Sequence, residues 1–176
     1  MKIIDDALPL SLSNHLHKLC CEKCKWDFIS DTSQPYADGK KSPGFGCSIL
    51  STGVKGNDFD EKLYYRFESS LIILSEIAGL DILDLIRIRL GLYFPIEIPD
   101  DHNRPHVDQD YPHTVLLYYI NDSDGDTYFF KKKKIIDRIT PKQNRLVIFD
   151  GTTYHASSNP TKGHRISLNL NYGIRK

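Results

Sequence analysis

The sequence lacks a long hydrophobic run and an excess of charge of either sign. Its longest run of aliphatic residues, Leu71 to Leu74, is far shorter than the roughly 20 apolar residues of a transmembrane helix. Lys and Arg number 23 and Asp and Glu also number 23, so the formal net charge is zero. This balance gives no argument for a nucleic-acid or membrane partner. The longest basic run, Lys131 to Lys134, predicts the solvated end of a hairpin, with a small phosphate-binding patch as the alternative.

Cysteine is scarce as well, and the N-terminus does not resemble a secretion signal. The opening residues Met-Lys-Ile-Ile-Asp-Asp carry an acidic pair where a signal peptide has an apolar stretch. We therefore expect a cytoplasmic protein with its four cysteines as free thiols. Cys20, Cys21 and Cys24 cluster, but with Cys47 they match no standard zinc-finger spacing. Cys20 and Cys24 are predicted to lie on one buried helix face, with a zinc site as the alternative.

Length and composition predict one domain, residues 1–176. The chain has 176 residues, of which 40% are hydrophobic and 26% charged, as in an ordinary globular protein. One helix is predicted from a cap at Ser11 or Ser13 to about Lys25. A second is predicted from about Phe59 to Ala78, with Asp58 as its cap and Gly79 as its stop. Residues 31–57, rich in Gly, Ser, Pro, Asp and Lys, predict a long loop with at most short strands and a candidate substrate cover.

After Gly79 the pattern changes to short alternating segments separated by turns. The predicted strands are Ile82–Phe94, Thr114–Ile120, Tyr128–Lys132, Ile135–Ile139, Arg145–Phe149 and Arg165–Tyr172. Two helices followed by a series of short strands predict an α+β chain. Residues 1–79 would supply helical support and a loop, and residues 80–176 a sandwich or small β-barrel.

Three residues form a candidate metal site. His106 and Asp108 are two apart, so on an extended chain their side chains point to the same side. His155 follows the predicted strand Arg145–Phe149. Two histidines and one carboxylate on one side of an ion leave positions open for a co-substrate and dioxygen, as in the facial triad of non-haem iron(II) oxygenases. With seven histidines in the chain, a chance His-x-Asp pair on a solvated loop is the alternative.

The last predicted strand carries a polar face next to an aliphatic one. Arg165, Ser167 and Asn169 alternate with aliphatic residues, so they share one side of the strand. Polar groups inside a small barrel must be paired, and a planar guanidinium with a nearby hydroxyl is suited to bind a carboxylate. An arginine exposed on an edge strand is the alternative.

In this order, His106-Val107-Asp108, His155 and Arg165 resemble the catalytic core of the iron(II)/2-oxoglutarate oxygenases. The resemblance extends over residues 80–174 and is greatest to the prolyl 4-hydroxylase-like branch, whose Gly-Gly-Glu-Thr turn is similar to Asp124-Gly-Asp-Thr127 here. It implies a double-stranded β-helix, the jelly-roll or cupin-like barrel, with supporting helices before it and the metal at its open end.

The resemblance also implies residue roles and an activity. The implied iron(II) ligands and catalytic residues are His106, Asp108 and His155. The implied 2-oxoglutarate contacts are Arg165 and Ser167, with Thr127 and Tyr93 as further candidates. Iron(II) and 2-oxoglutarate would be the cofactors, dioxygen the second co-substrate, and hydroxylation with release of succinate the reaction. The carboxylate of Asp108 implies hydroxylation, because related halogenases lack it.

The substrate stays open at this point. Arg165 replaces the lysine common in prolyl 4-hydroxylases, and the turn carries Gly-Asp in place of Gly-Glu, which weakens the argument for proline. A prolyl or other peptidyl residue, a nucleobase and a small metabolite all remain, although zero net charge disfavours nucleic acid. Arg104 and Asp110 flank the metal loop as candidate substrate contacts. The alternatives are a cupin-like metal enzyme that does not use 2-oxoglutarate and a non-catalytic jelly-roll binding module.

Overall fold

The computed structural model describes residues 1–33, 41–52, 58–97 and 100–174. Its helices are α1 (Leu10–Glu22) and α2 (Glu61–Ala78), and a 3-10 turn spans Ile82–Asp84. The strands are β1 (Lys2–Ile4), β2 (Asp27–Ile29), β3 (Gly44–Ser51), β4 (Asp58–Phe59), β5 (Leu85–Tyr93), β6 (His113–Tyr119), β7 (Thr127–Lys131), β8 (Lys134–Ile139), β9 (Arg145–Asp150), β10 (Tyr154–Ser157) and β11 (Arg165–Gly173). No helix within these ranges is long and apolar enough to cross a membrane.

The strands form two antiparallel sheets that face each other. The large sheet has the order β1-β9-β6-β11-β5-β3-β2, with β4 paired to β3, and the small sheet has the order β10-β7-β8. Apolar side chains of β6 and β9 meet Phe129 of β7 and Ile139 of β8 in a core between the sheets. A pair of backbone hydrogen bonds joins His106 to His155, so the metal loop extends the small sheet. This arrangement is the predicted double-stranded β-helix.

The helices pack on the outer face of the large sheet. Leu168 and Leu170 of β11 and Ile88 and Leu90 of β5 are fully buried in the same core as α1 and α2. Because strand side chains alternate, residues 165, 167, 169 and 171 of β11 point the other way, into the space between the sheets. The helices therefore support the sheet from outside and leave its inner face free for a site.

Helix ends differ from the sequence prediction in detail. Helix α1 begins after Pro9 without a side-chain cap, so neither Ser11 nor Ser13 serves as the predicted cap. Helix α2 is capped by Asp60, whose side chain accepts from the Leu63 backbone N–H, and not by Asp58, which lies in β4. The predicted stop at Gly79 is confirmed, since its φ of 69° is a left-handed conformation that suits glycine.

The strongest correction concerns residues 31–57, which were predicted to form a loop with at most short strands. Residues 44–51 form the eight-residue strand β3, which pairs with β5 from Phe45↔Leu92 to Ser51↔Arg87. Its pairing partner, not its composition, makes this segment a strand. Residues 34–40 and 53–57 lie outside the described residues, and so does that part of the proposed substrate cover. Strand β10, which carries His155, was also missed.

The prediction for the lysine run is confirmed, whereas that for Cys24 is wrong, because helix α1 ends at Glu22 and Cys24 lies beyond it, half-buried. The four cysteines are free, and Cys20 is buried while Cys21 on the next helix position is exposed. The basic run forms the end of the β7–β8 hairpin, where Lys132 and Lys133 adopt φ values of 49° and 64° in the turn. Among the described residues, the one cluster of possible metal ligands is His106, Asp108 and His155, without any of the cysteines.

Candidate metal and co-substrate site

The fold brings together the three predicted metal ligands. One ligand atom from each of His106, Asp108 and His155 lies within 4.8 Å of the other two. The backbone N–H of each histidine donates to the carbonyl of the other, at 3.0 and 2.9 Å. The spacing of the two histidines is therefore set by the barrel itself. Asp108 follows two residues after His106, and its Oδ2 lies 3.9 Å from His155 Nε2.

Both histidines are oriented through their second ring nitrogen. His106 Nδ1 lies 3.2 Å from the Arg104 carbonyl, and His155 Nδ1 lies 3.0 Å from the Thr153 carbonyl. A carbonyl only accepts, so these contacts favour the tautomer with the proton on Nδ1 and the lone pair on Nε2. Hydrogen bonds of this kind orient histidine ligands in metal sites. The His155 ring also packs against Phe149, with 5.1 Å between the two ring centroids.

Asp108 is held by three side chains of the large sheet. Arg87 Nη1 donates to Oδ1 at 2.9 Å, and the amides of Asn169 and Asn171 donate to Oδ2 at 2.9 and 3.1 Å. Arg87 also donates to Asn171 Oδ1 at 3.0 Å, which links the donors into one network. The carboxylate is thereby fixed in place before any ion binds.

The surroundings keep Asp108 and His155 in the protonation states that a metal requires. Burial alone would raise the pKa of Asp108, but Arg87, His155, His106 and the Asn169 hydrogen bond lower it well below its usual range. Burial lowers the pKa of His155, an effect that Asp108 partly offsets. A charged carboxylate facing a neutral imidazole is the state that binds a divalent cation. The donor set of two imidazoles and one carboxylate therefore fits iron(II).

Arg165 lies in the same cavity as the triad, enclosed by aromatic rings. Its guanidinium carbon is 5.5 Å from the centroid of the Tyr93 ring and 5.7 Å from that of Tyr119. Its Nη2 donates to Thr127 Oγ1 at 2.9 Å, and Thr127 in turn accepts from Tyr119 Oη at 2.7 Å. Its Nε is buried and has no hydrogen-bond partner among the described residues.

An unsatisfied buried guanidinium donor is costly, so it indicates a missing acceptor. Ser167, two residues along the same face of β11, is buried and lines the same cavity. Arg165 and Ser167 thus form a pair of donors suited to a carboxylate. Thr127 and Tyr93, the two further predicted contacts, lie against this pair, as the hydrogen bond and the ring contact show.

Sequence reasoning missed several residues that complete the site. Arg87, Asn171 and Tyr119 were not assigned roles, although each lies on the inner face of its strand and contacts a predicted site residue. The alternation of arginine with aliphatic residues along β5 was the signal that marked its inner face. By contrast, Arg104 lies outside the cavity, in a groove on the outer side of the small sheet with Pro105 and Tyr154, and Asp110 is exposed.

Comparison with known proteins agrees with this geometry. Residues 94–173 match the sequence model of the 2OG-Fe(II) oxygenase superfamily. No curated protein matches the chain. A 2OG-Fe(II) oxygenase family oxidoreductase from Burkholderia pseudomallei has a TM-score of 0.72 at 11% identity, over 97% of this chain and 84% of that one.

Two prolyl hydroxylase structures are also similar in fold. A prolyl-4-hydroxylase from Pseudomonas putida has a TM-score of 0.63 at 16% identity, over 99% of this chain and 92% of that one. A prolyl hydroxylase from Trichoplax adhaerens, in complex with a hypoxia inducible factor oxygen degradation domain peptide fragment, has a TM-score of 0.65 at 14% identity, over 97% and 82%. At these identities the likeness shows a shared fold. The matched stretch covers 80 of the 176 residues and carries the triad, Arg165 and strands β6–β11, so this part of the chain is similar to the 2OG-Fe(II) oxygenase superfamily.

Proposed function

We propose that the chain is an Fe(II)- and 2-oxoglutarate-dependent dioxygenase that hydroxylates its substrate. The observation that carries this proposal is one cavity that contains both the triad and the unsatisfied guanidinium of Arg165. A cupin-like enzyme that does not use 2-oxoglutarate would have no need for a buried carboxylate clamp. A binding module would have no need for a preorganised triad. We further propose that residues 1–176 form a single oxygenase domain, since β1 and β3 pair with β9 and β5 of the barrel.

In this proposal, His106, Asp108 and His155 hold iron(II). Arg165 and Ser167 hold the distal carboxylate of 2-oxoglutarate, with Thr127 fixing the guanidinium and the Tyr93 ring covering it. When bound, iron(II) and 2-oxoglutarate supply oxygen activation and two of the electrons that reduce dioxygen, and 2-oxoglutarate leaves as succinate and carbon dioxide. The aromatic rings around Arg165 exclude water, which strengthens its interaction with an anion.

The residues around the triad act by orientation and by charge. Arg87, Asn169 and Asn171 keep Asp108 ionised and aimed at the ion, and the carbonyls of residues 104 and 153 keep the imidazole Nε2 atoms free for it. Thr32 and Arg89 also line this cavity, and the substrate would bind beside the metal within it. Two proteins of similar fold are prolyl hydroxylases, so a prolyl residue is one candidate substrate, and other peptidyl residues or a small metabolite are the alternatives.

The test is an anaerobic titration of the purified protein with Fe(II) and 2-oxoglutarate, followed by the visible charge-transfer band of the chelate. We expect the band with the wild type and its loss in His155→Ala and in Arg165→Ala. For His155→Ala we expect metal affinity to fall by more than about 100-fold, beyond the usual effect of an outer-shell change. For Arg165→Ala the metal should still bind, because the change leaves the triad intact.

His15→Ala and Arg66→Ala are matched controls, since both side chains are exposed and remote from the cavity. Both should behave as the wild type does. Metal binding without a band would favour the cupin-like enzyme, and no metal binding would favour the binding module.

A further inference from the structure

The cavity carries more positive charge than its own residues and the co-substrate account for. Its charged lining groups, histidines aside, are three arginines and one carboxylate: Arg87, Arg89, Arg165 and Asp108. Arg87 is paired with Asp108 at 2.9 Å. In the proposed function, Arg165 binds the distal carboxylate of 2-oxoglutarate. One guanidinium, that of Arg89, is left over.

The guanidinium of Arg89 makes no hydrogen bond and no ion pair with any residue in the described ranges. It is nonetheless largely withdrawn from water, and burial together with the nearby Arg87 lowers its pKa. An arginine remains charged even so. A desolvated charge without a partner costs free energy, so its position in a cavity points to an anionic ligand as its partner.

The position of Arg89 separates it from the co-substrate clamp. On β5, Arg89 pairs with Asn169 of β11, whereas Tyr93 pairs with Arg165. Four residues along a strand correspond to about 13 Å. Asn169 donates to Asp108, so the backbone of Arg89 lies at the level of the metal ligands, four residues along β5 from the backbone that faces the clamp. A co-substrate that extends from Arg165 to the metal would leave Arg89 to another molecule.

A glycine on the neighbouring strand makes room for this guanidinium. A Cβ added to Gly46 of β3 would lie 3.3 Å from Arg89 Nη2 and 3.4 Å from Nε. The head group thus leans across Gly46, which pairs with Gly91, and so lies on the β3 side of the cavity, away from β11. Because Arg87 already balances Asp108, Arg89 is not needed as a counter-charge for the metal ligand.

From this geometry we propose that Arg89 binds a carboxylate of the substrate, so that the oxygenase acts on an organic acid beside the metal. The inference rests on the proposed function and deepens it. One free guanidinium balances one negative charge, and its fork matches the two oxygens of a carboxylate. The carboxylate could belong to a free amino acid or to an acidic side chain of a peptide, which present the same group.

The test uses the Fe(II)- and 2-oxoglutarate-loaded protein and matched probes. The first set is free L-amino acids, each compared with its primary amide, and the second is short peptides with Glu, each compared with its Gln counterpart. Anaerobic binding is followed by the perturbation of the chelate band, and turnover by succinate formation. In the wild type, acids should bind at least about tenfold more tightly than amides, which corresponds to roughly 1.4 kcal/mol.

The variants Arg89→Met and Arg89→Lys test whether this preference for acids depends on the side chain of Arg89. We expect Arg89→Met to lose the preference for acids and Arg89→Lys to keep part of it, while both still form the chelate band. Arg66→Met, on the exposed side of α2, should keep the full preference. The probe set in which the acid binds more tightly than its amide identifies the source of the carboxylate.

Two results would overturn the proposal. They are equal binding of acids and amides in the wild type and an undiminished preference in Arg89→Met. Absence of the chelate band in the wild type would instead refute the proposed function, so the two failures are distinguishable.

Discussion

The two faces of the large sheet differ in chemistry although the same strands build both. On β11, Ile166, Leu168 and Leu170 lie in the core under the helices. Arg165 and Ser167, one position away in each case, lie in the cavity. Stability and chemistry are thereby assigned to alternate residues of one strand. Adjacent substitutions on β11 should therefore have separable effects.

The largest expected effect on stability comes from Leu168→Ala. The side chain is fully buried, and truncation of a buried leucine costs about 2–5 kcal/mol. In a chain of this size each kcal/mol lowers the melting temperature by roughly 2–4 °C. Thermal and urea unfolding measure the loss, while the folded fraction should keep its affinity for 2-oxoglutarate.

Ser167→Ala is the matched change on the other face. The Ser167 side chain makes no hydrogen bond to another described residue. Removal of its hydroxyl should therefore cost less than about 0.5 kcal/mol of stability. Its proposed hydrogen bond to a carboxylate makes us expect a roughly tenfold weaker affinity for 2-oxoglutarate. If Ser167→Ala destabilised the fold as much as Leu168→Ala does, the division between the faces would be wrong.

Arg87→Met is expected to destabilise the fold somewhat less than Leu168→Ala does, and the size of the loss should depend on whether metal is bound. Without metal, the change leaves the buried carboxylate of Asp108 without its cation, at a cost of about 3 kcal/mol. A bound divalent ion restores a positive charge beside Asp108, so the loss should be smaller in the metal-loaded protein. Urea unfolding with and without Mn(II) measures both values. Equal losses in the two states would show that Arg87 acts through packing and not through charge.

A small effect, on stability alone, is expected for a charge pair remote from both faces. Asp5 accepts from Arg145 Nε at 2.6 Å and from Nη2 at 3.1 Å. The hydrogen bond from Arg145, with a further contribution from Lys142, lowers the pKa of Asp5 to about 2. Because the side chain is 38% exposed, we expect Asp5→Asn to cost less than about 1 kcal/mol.

The pH dependence of that loss follows from the sign of the shift. A carboxyl with a lowered pKa stabilises the fold above its ordinary value of about 3.9. That contribution disappears as the pH falls through about 2. Urea unfolding over this range should show the wild type and Asp5→Asn converging at low pH. A difference that is independent of pH would mean that the pair contributes no charge effect.

The site residues that could be predicted from the sequence are those that lie close together in one segment or alternate along one strand. His106 and Asp108 are two residues apart, and Arg165 alternates with aliphatic residues, so spacing alone marked them as sharing a side. Arg87 was not assigned because its partner, Asp108, is supplied by a loop whose course depends on the whole barrel. The free charge of Arg89 becomes apparent only when the partners of the other two arginines are known.

The strands that were missed are those held in place by distant partners. Strand β3 contains Gly44 and Gly46 in a polar stretch, and its pairing with β5 and β2 makes it a strand. Strand β10 is short and follows a turn closely, so it shows little alternation. It pairs with β7, from His155↔Phe129 to Ser157↔Thr127. Intrinsic strand preference is weak enough for such contacts to decide.

The backbone bridge between His106 and His155 has a consequence for changes in chain length. Because the two residues are hydrogen-bonded to each other, their separation does not depend on the path the chain takes between them. Insertions at an exposed turn on that path, such as Lys132–Lys133, would leave the ligand spacing intact. The barrel can thus accept a longer hairpin or an inserted module at this point while its metal ligands keep their places.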